Sequence, residues 1–286
     1  MIRCFARPPR AVRAETQSSA FTLIELLVVI AIIAVLVAVL LPALSSARAE
    51  GHKIKCIANM RSLGQSFDTY SIEDPGGYTT PIHPRAEINW IYDGEYEFGG
   101  RTGVGVYAHP DFVADNRILN KYVFRNARNT WFEWYQCPTD VNVPAAPVNF
   151  DPYFLDPQWA GRNVWQITGT SYRLNNHIDF LGATPYTNYF YGPYMRVRTR
   201  VPSSGETVLL EEAVAEVAKW NDTTYTTPGW HRKNNRFNVL FVDGHADTIF
   251  LQGQSDNSAQ YPGYWVLRGE SWRMDCWPDK PIYDRP

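Results

Sequence analysis

Sixteen consecutive residues near the N-terminus, Leu26 to Leu41, are all Leu, Val, Ile or Ala. Counted from Phe21, the apolar stretch is 21 residues long, and a helix needs about 20 residues to cross a bilayer. Residues 1–20 carry four Arg and one Glu. Because positively charged flanks stay in the cytoplasm, the sequence predicts a single membrane span with the N-terminus inside and the rest of the chain outside.

Glu25 lies within this apolar stretch, and a carboxylate near the centre of a span costs about 2.5–3.5 kcal/mol on insertion scales. An ordinary membrane anchor gives no reason for such a residue. An ordinary secretory signal peptide has an apolar core of about 7–15 residues that ends at a small-residue cleavage site. Here the core is longer and ends at Pro42. Glu25 therefore predicts a functional role with a specific partner group.

The run FTLIELLVVI at 21–30 resembles the processing and methylation signal of type IV prepilins and type II secretion pseudopilins. The resemblance implies that a prepilin peptidase cuts between Ala20 and Phe21 and methylates the new N-terminus. The family usually has Gly before the cut, where this chain has Ala20. It also implies that Glu25 pairs with the α-amino group of a neighbouring subunit, which offsets the desolvation of both charges. Pro42 falls where pilin-like helices often carry a proline that kinks or locally melts the helix.

Beyond Pro42 the apolar residues again recur at helical spacing, at Ile54, Ile57, Met60, Phe67 and Tyr70. From about residue 76, Pro, Gly, Asn and aromatic residues dominate, which predicts short strands and loops. We therefore expect an α+β fold in which a long N-terminal helix packs on an irregular antiparallel-sheet head, as in pilin-like proteins. The sequence therefore predicts four parts, namely a prepilin leader at 1–20, a transmembrane helix at 21–44, an amphipathic helix at 45–75 and a β-rich head at 76–286.

The clearest strand signals lie at 206–210 and in a hairpin that joins 236–242 to 245–251. The hairpin is expected to turn at the two residues Asp243 and Gly244, because Asp-Gly between apolar strands favours a turn in which both residues have positive φ.

This hairpin also carries the candidate metal ligands. Strand alternation places His245 and Asp247 on one face, and with His231 they could bind a divalent ion. The segment resembles the H-x9-DG signature of a pseudopilin-like family, although eleven residues, not nine, separate His231 from Asp243. Alternatively, Asp243 and Gly244 only make the turn, and the histidines pack or face water. We expect no metal, no cofactor and no catalysis.

Four cysteines occur in the chain. Cys4 is expected to leave with the leader, so Cys56, Cys137 and Cys276 remain. In an oxidising compartment one disulfide and one thiol are the simplest outcome. Cys137 and Cys276 both lie in the predicted head, so we expect these two to pair. Three cysteines without C-x-x-C do not have the spacing of a zinc site.

The net charge of −2 argues against nucleic acid as a partner. The resemblance implies a pseudopilin-like subunit that works by polymerisation and not by catalysis. Its expected partners are the prepilin peptidase, other pseudopilin subunits, inner-membrane secretion or pilus assembly proteins, and membrane lipid. It is expected in the bacterial inner membrane, with its head on the periplasmic side. The alternative is an anchored extracytoplasmic binding module for a glycan or protein, or a metal-dependent enzyme, that uses the signal only for sorting.

Overall fold

The protein is described by a computed structural model that covers residues 22–81, 96, 98–104, 113–123, 133–141, 161–175, 178–180, 188–190, 192–194, 196–220, 226–251, 271, 273–274 and 276. The chain forms two compact units, residues 1–47 and residues 48–286. The helices of the described part are α1 (Leu23–Glu73), α2 (Asn120–Val123), α3 (Val164–Thr168) and α4 (Ala215–Trp220). Its strands are β1 (Tyr172–Leu174), β2 (Ile178–Phe180), β3 (Asn188–Phe190), β4 (Val208–Glu212), β5 (Arg236–Phe241) and β6 (Ala246–Phe250).

Two antiparallel sheets are present in the described part of the chain. The larger has four strands in the order β1-β4-β5-β6, and the smaller pairs β2 with β3. At the centre of the larger sheet, Leu210 of β4 lies opposite Leu240 of β5. The expected α+β fold, a long N-terminal helix on an antiparallel sheet, is therefore confirmed.

The C-terminal part of α1 packs on the four-stranded sheet through one face. The buried residues of this face follow the helical period and are Cys56, Asn59, Met60, Leu63, Gly64, Ser66, Phe67, Tyr70 and Ser71. Of the apolar positions that the sequence places on it, Met60, Phe67 and Tyr70 are buried, whereas Ile54 is 60% exposed. The sequence pattern thus predicted the helix and most of its buried face.

Gly64 lets this helix approach the sheet closely. A Cβ at Gly64 would lie 3.0 Å from Leu240 Cδ1, which is closer than most side-chain contacts allow. Arg61 fixes the same contact from the side, since its guanidinium donates to the carbonyl of Ala246 at 3.1 Å. The absence of a side chain at Gly64 therefore sets how near α1 lies to β5.

A buried arginine holds the irregular part of the head together. Arg117 is fully buried, and its guanidinium donates to the carbonyls of Tyr96, Gly99 and Thr168 at 2.8–3.0 Å. Buried backbone carbonyls need donors, and one guanidinium supplies several in a fixed fork. This side chain replaces the hydrogen bonds that a regular sheet would have given these loops.

Candidate functional site

The first candidate site is the apolar N-terminal part of α1. From Leu23 to Leu44 its large apolar side chains are 44–86% exposed within the single chain. Helix α1 contains a stretch that is long and apolar enough, by length and composition, to cross a membrane. Contiguous exposed apolar surface of this kind marks a membrane or protein contact. In this segment the single chain leaves its apolar side chains available for lipid or for other helices.

Glu25 is part of a capping box at the start of α1. The Thr22 backbone N–H and its hydroxyl each donate to Glu25 Oε2 at 2.8 Å, and the Glu25 N–H donates to Thr22 Oγ1 at 3.2 Å. This reciprocal arrangement satisfies donors that the first turn of a helix leaves without partners. The sequence signal for this cap is the T-x-x-E pattern of Thr22-Leu23-Ile24-Glu25.

The other predicted residues of this segment are placed as follows. Ala20 and Phe21 lie outside the described residues, so the cleavage position stays a prediction. Pro42 lies inside α1, which continues to Glu73 without interruption. Although proline has no backbone N–H to donate, Pro42 does not end the helix, and the helix is not locally melted at this residue.

The turn at Asp243 and Gly244 is one residue longer than predicted. Strand β5 ends at Phe241 and β6 begins at Ala246. The Gly244 N–H donates to the Phe241 carbonyl at 2.9 Å, and the Phe241 N–H donates to the His245 carbonyl at 2.8 Å. Gly244 has φ +92° while Asp243 keeps a negative φ. The two-residue turn was therefore wrong, and the loop has the three-residue form in which Gly alone takes the left-handed conformation.

His245 and Asp247 are exposed on this hairpin. His245 Nδ1 lies 2.6 Å from Asp243 Oδ1, and its ring stacks on Phe241 with a centroid separation of 4.1 Å. His245 thus completes the turn. His231 is buried elsewhere in the head, so the structure does not bring the three candidate metal ligands together.

His231 belongs instead to a second candidate site, a buried cluster on the α1 side of the sheet. Its Nε2 lies 2.7 Å from Glu212 Oε1 and 3.7 Å from Cys137 Sγ. Its Nδ1 lies 3.2 Å from the Thr139 hydroxyl. Both ring nitrogens therefore have polar neighbours at hydrogen-bonding distance, which fixes the orientation of the ring.

Glu212 is the buried carboxylate of this cluster and is fully inaccessible. Besides His231, it accepts hydrogen bonds from the backbone N–H of Asn238 at 3.1 Å and from its side-chain amide at 3.0 Å. Asn238 in turn accepts a hydrogen bond from the Thr248 hydroxyl at 2.7 Å. A carboxylate can be buried without large cost only when such donors replace water, and here Asn238 of β5 supplies two of them.

The disulfide joins Cys56 of α1 to Cys137, with a Cα–Cα distance of 5.2 Å. The predicted pairing of Cys137 with Cys276 was therefore wrong, and Cys276 is a buried thiol outside this bond. The physical reason is that the C-terminal part of α1 belongs to the core of the head, which places Cys56 within bonding distance of Cys137. The cluster of Cys56, Cys137, Glu212 and His231 is the group of described residues whose donor atoms could hold a metal ion, all within 4.8 Å of one another.

Asp140 anchors the loop that carries Cys137. Its carboxylate accepts from the backbone N–H groups of Val164 and Trp165 at 2.9 and 2.8 Å, and from the Ser171 hydroxyl at 2.7 Å. Ser171 Oγ also accepts from the Cys137 N–H at 2.9 Å. Burial raises the pKa of Asp140 to about 6, against the lowering effect of these hydrogen bonds. The loop is thus held at Cys137 itself and at Asp140, three residues further along the chain.

On the opposite face of β4 lies a buried group of four charged side chains. Glu211 on β4 lies opposite Arg173 on β1, and the Arg173 guanidinium contacts Glu211 at 3.1 Å and Glu216 at 2.7 Å. Lys219 of α4 also contacts both carboxylates. Two cations and two anions balance one another, which a buried ionic group requires.

Sequence reasoning missed Glu211 and Glu212, the two carboxylates at the centre of these groups. The available signal was the strand VLLEE at 208–212, an apolar run that ends in two consecutive acids and is buried throughout. Because neighbouring residues of a strand point to opposite faces, the two acids serve two different clusters. Buried acids at a strand end predict partners, but the sequence does not identify them.

Comparison with known proteins bears on the N-terminal segment. Residues 16–41 match the family described as Prokaryotic N-terminal methylation motif. No curated protein and no solved structure matches the chain. The matched residues include the predicted cleavage position, Glu25 and most of the exposed apolar part of α1. The chain therefore carries a prepilin-type N-terminal methylation motif on the long helix of a pilin-like α+β fold.

Proposed function

We propose that this chain is a pseudopilin-like or type IV pilin-like subunit that is anchored in the bacterial inner membrane and acts by assembling with other subunits. One observation carries the proposal, namely that the methylation motif coincides with the stretch of α1 whose apolar side chains the single chain leaves exposed. That surface needs lipid before assembly and neighbouring helices after it. The head then lies on the extracytoplasmic side.

Glu25 has two roles in this proposal. In the single chain its carboxylate caps α1 through Thr22. In the assembly it pairs with the N-terminal amine of a neighbouring subunit and so sets the register between helices. The two roles can be separated, because glutamine also fits a capping box but carries no charge.

Processing is the first test. The chain is produced together with a prepilin peptidase, and the mass of the mature protein is measured. The proposal expects a chain that begins at N-methylated Phe21. An Ala20→Gly variant, which restores the usual residue of the family, should give the same product. A mature chain that retains its leader, or that begins after Pro42, would contradict the proposal.

Assembly is the second test. Two copies with different C-terminal tags are expressed in one cell, and their co-purification from solubilised membranes is measured. Glu25→Gln should abolish co-purification, since it removes the charge and keeps an acceptor for Thr22. The matched variant Thr22→Val removes the hydroxyl of the cap, keeps the charge, and should co-purify like the wild type. If Glu25→Gln associates normally, the role of the charge in register is wrong.

A further inference from the structure

The disulfide and its polar neighbours form a site with a second possible state. Cys56, Cys137, Glu212 and His231 are all buried, at 0–6% exposure, and their donor atoms lie within 4.8 Å of one another. We propose that reduction of the disulfide turns this cluster into a zinc site that holds one Zn²⁺ through two thiolates, one imidazole and one carboxylate. The inference is independent of the proposed assembly function.

The spacing of the donor atoms suits a tetrahedral ion. Zinc bonds of about 2.0–2.3 Å place the ligand atoms of a tetrahedral site roughly 3.3–3.8 Å apart. Cys137 Sγ already lies 3.7 Å from His231 Nε2 and 3.9 Å from Glu212 Oε1. The direct contact of 2.7 Å between His231 and Glu212 has to open by about 0.6 Å, as judged from the same bond lengths. The two sulfurs, bonded to each other in the disulfide, must also move apart after reduction.

Groups behind the ligands already orient them. Metal-binding histidines normally donate their other ring N–H to a polar partner, and the Thr139 hydroxyl lies 3.2 Å from His231 Nδ1. Zinc at Nε2 moves the ring proton to Nδ1, which then donates to Thr139. Glu212 is held by two donors from Asn238. These hydrogen bonds also offset the net negative charge of a site with two thiolates and a carboxylate.

The donor set selects the class of metal. Thiolates favour zinc over calcium or magnesium, which take oxygen ligands. Four protein ligands in a buried cluster leave no position for water or substrate, so the site is structural and not catalytic. Either state, disulfide or zinc, ties α1 to the loop of Cys137 and to β4.

Reduction of the disulfide followed by zinc binding converts the first state into the second. A phosphine reductant takes oxygen from water to become phosphine oxide, and the disulfide gains two electrons and two protons to give two thiols. Zinc binding then releases both thiol protons, since the thiolates are the ligands. In the oxidised protein the sulfurs are bonded to each other, so the oxidised chain is expected to hold no zinc at this place.

The experiment uses the full chain in detergent. It is reduced with a phosphine under argon, freed of the phosphine, incubated with zinc chloride and desalted, and the retained zinc is measured by mass spectrometry of the element. One zinc per reduced chain and none per oxidised chain are expected. Cobalt in place of zinc should give the visible absorption of a tetrahedral thiolate site, which does not depend on a change in stability.

Variants locate the ion. His231→Ala and Cys56→Ser should abolish binding, and Thr139→Val should weaken it about 10–100-fold by loss of the orienting partner. His245→Ala and Cys276→Ser remove an exposed histidine and the thiol outside the cluster, and both should bind zinc like the wild type. Three results would overturn the proposal. These are a folded reduced chain that keeps no zinc, zinc retained by His231→Ala, and a reduced chain that loses its near-ultraviolet circular dichroism even with zinc present.

Discussion

Replacing Cys56 by Ser removes the bond between α1 and the head and should destabilise the head strongly. The two cysteines are separated by 81 residues. In the chain-entropy treatment, opening a loop of this length returns about 15 cal/mol/K to the unfolded chain, or about 4.5 kcal/mol at 25 °C. For a head of this size each kcal/mol shifts Tm by about 2–4 °C, so the midpoint should fall by about 9–18 °C.

Urea and thermal unfolding of the full chain in detergent, followed by the fluorescence of its ten tryptophans, measure this loss. Cys137→Ser should lose as much as Cys56→Ser, and the double variant little more, because the first substitution already breaks the bond. Cys276→Ser is the matched control, since it replaces a buried thiol without opening a loop. An equal loss in Cys276→Ser, or a non-reducing peptide map that links Cys137 to Cys276, would refute the reasoning.

Three further substitutions test the head by the same unfolding assay. Gly244→Ala should cost about 1–3 kcal/mol by backbone strain, since Gly244 has φ +92°; steric overlap adds nothing, because the new Cβ meets no atom nearer than 3.7 Å. The control Gly51→Ala, inside helix α1, should instead stabilise by about 0.5–1 kcal/mol. Equal effects of the two substitutions would contradict the turn. The folded pKa of Asp140, about 6, lies above its usual 3.8, so folding favours the protonated acid. The stability of the wild type relative to Asp140→Asn should therefore fall by about 2.4 kcal/mol from pH 4 to 7. A constant difference would show that burial does not perturb the acid. Lys219→Met leaves two buried carboxylates with one cation and should lower the free energy of unfolding by about 3–5 kcal/mol. The control Lys121→Met, at an exposed position, should lower it by less than about 0.5 kcal/mol. A small loss at Lys219 would mean that the charges are solvated.

The features that the sequence predicted are those that depend on local pattern. Helix α1 was expected over 21–75 and spans Leu23–Glu73. Apolar periodicity and the change to Pro, Gly, Asn and aromatic residues near residue 76 are local signals, and they predicted its extent. The hairpin was found for the same reason. Its turn was misassigned because a two-residue and a three-residue loop both place Gly at positive φ, and Asp-Gly does not distinguish them.

The features that the sequence missed depend on contacts between distant segments. His231 meets Glu212 across 19 residues and Cys137 across 94, and no periodicity encodes such separations. The cysteine pairing failed similarly, since counting cysteines restricts the possible pairs but does not choose among them. Buried Arg117 was also invisible, because an arginine in a loop is normally exposed.

The bond between Cys56 and Cys137 has a mechanical consequence. If the chain assembles as proposed above, extraction of a subunit from the membrane or a load on the filament pulls along the helix. Without a covalent link, only the non-covalent contacts between the helix and the sheet would resist such a pull, and these contacts can break one after another. With the link, tension on the helix at Cys56 is transmitted through the sulfurs into the loop that Asp140 anchors. The helix cannot then be stripped from the sheet at this point while the bond is intact.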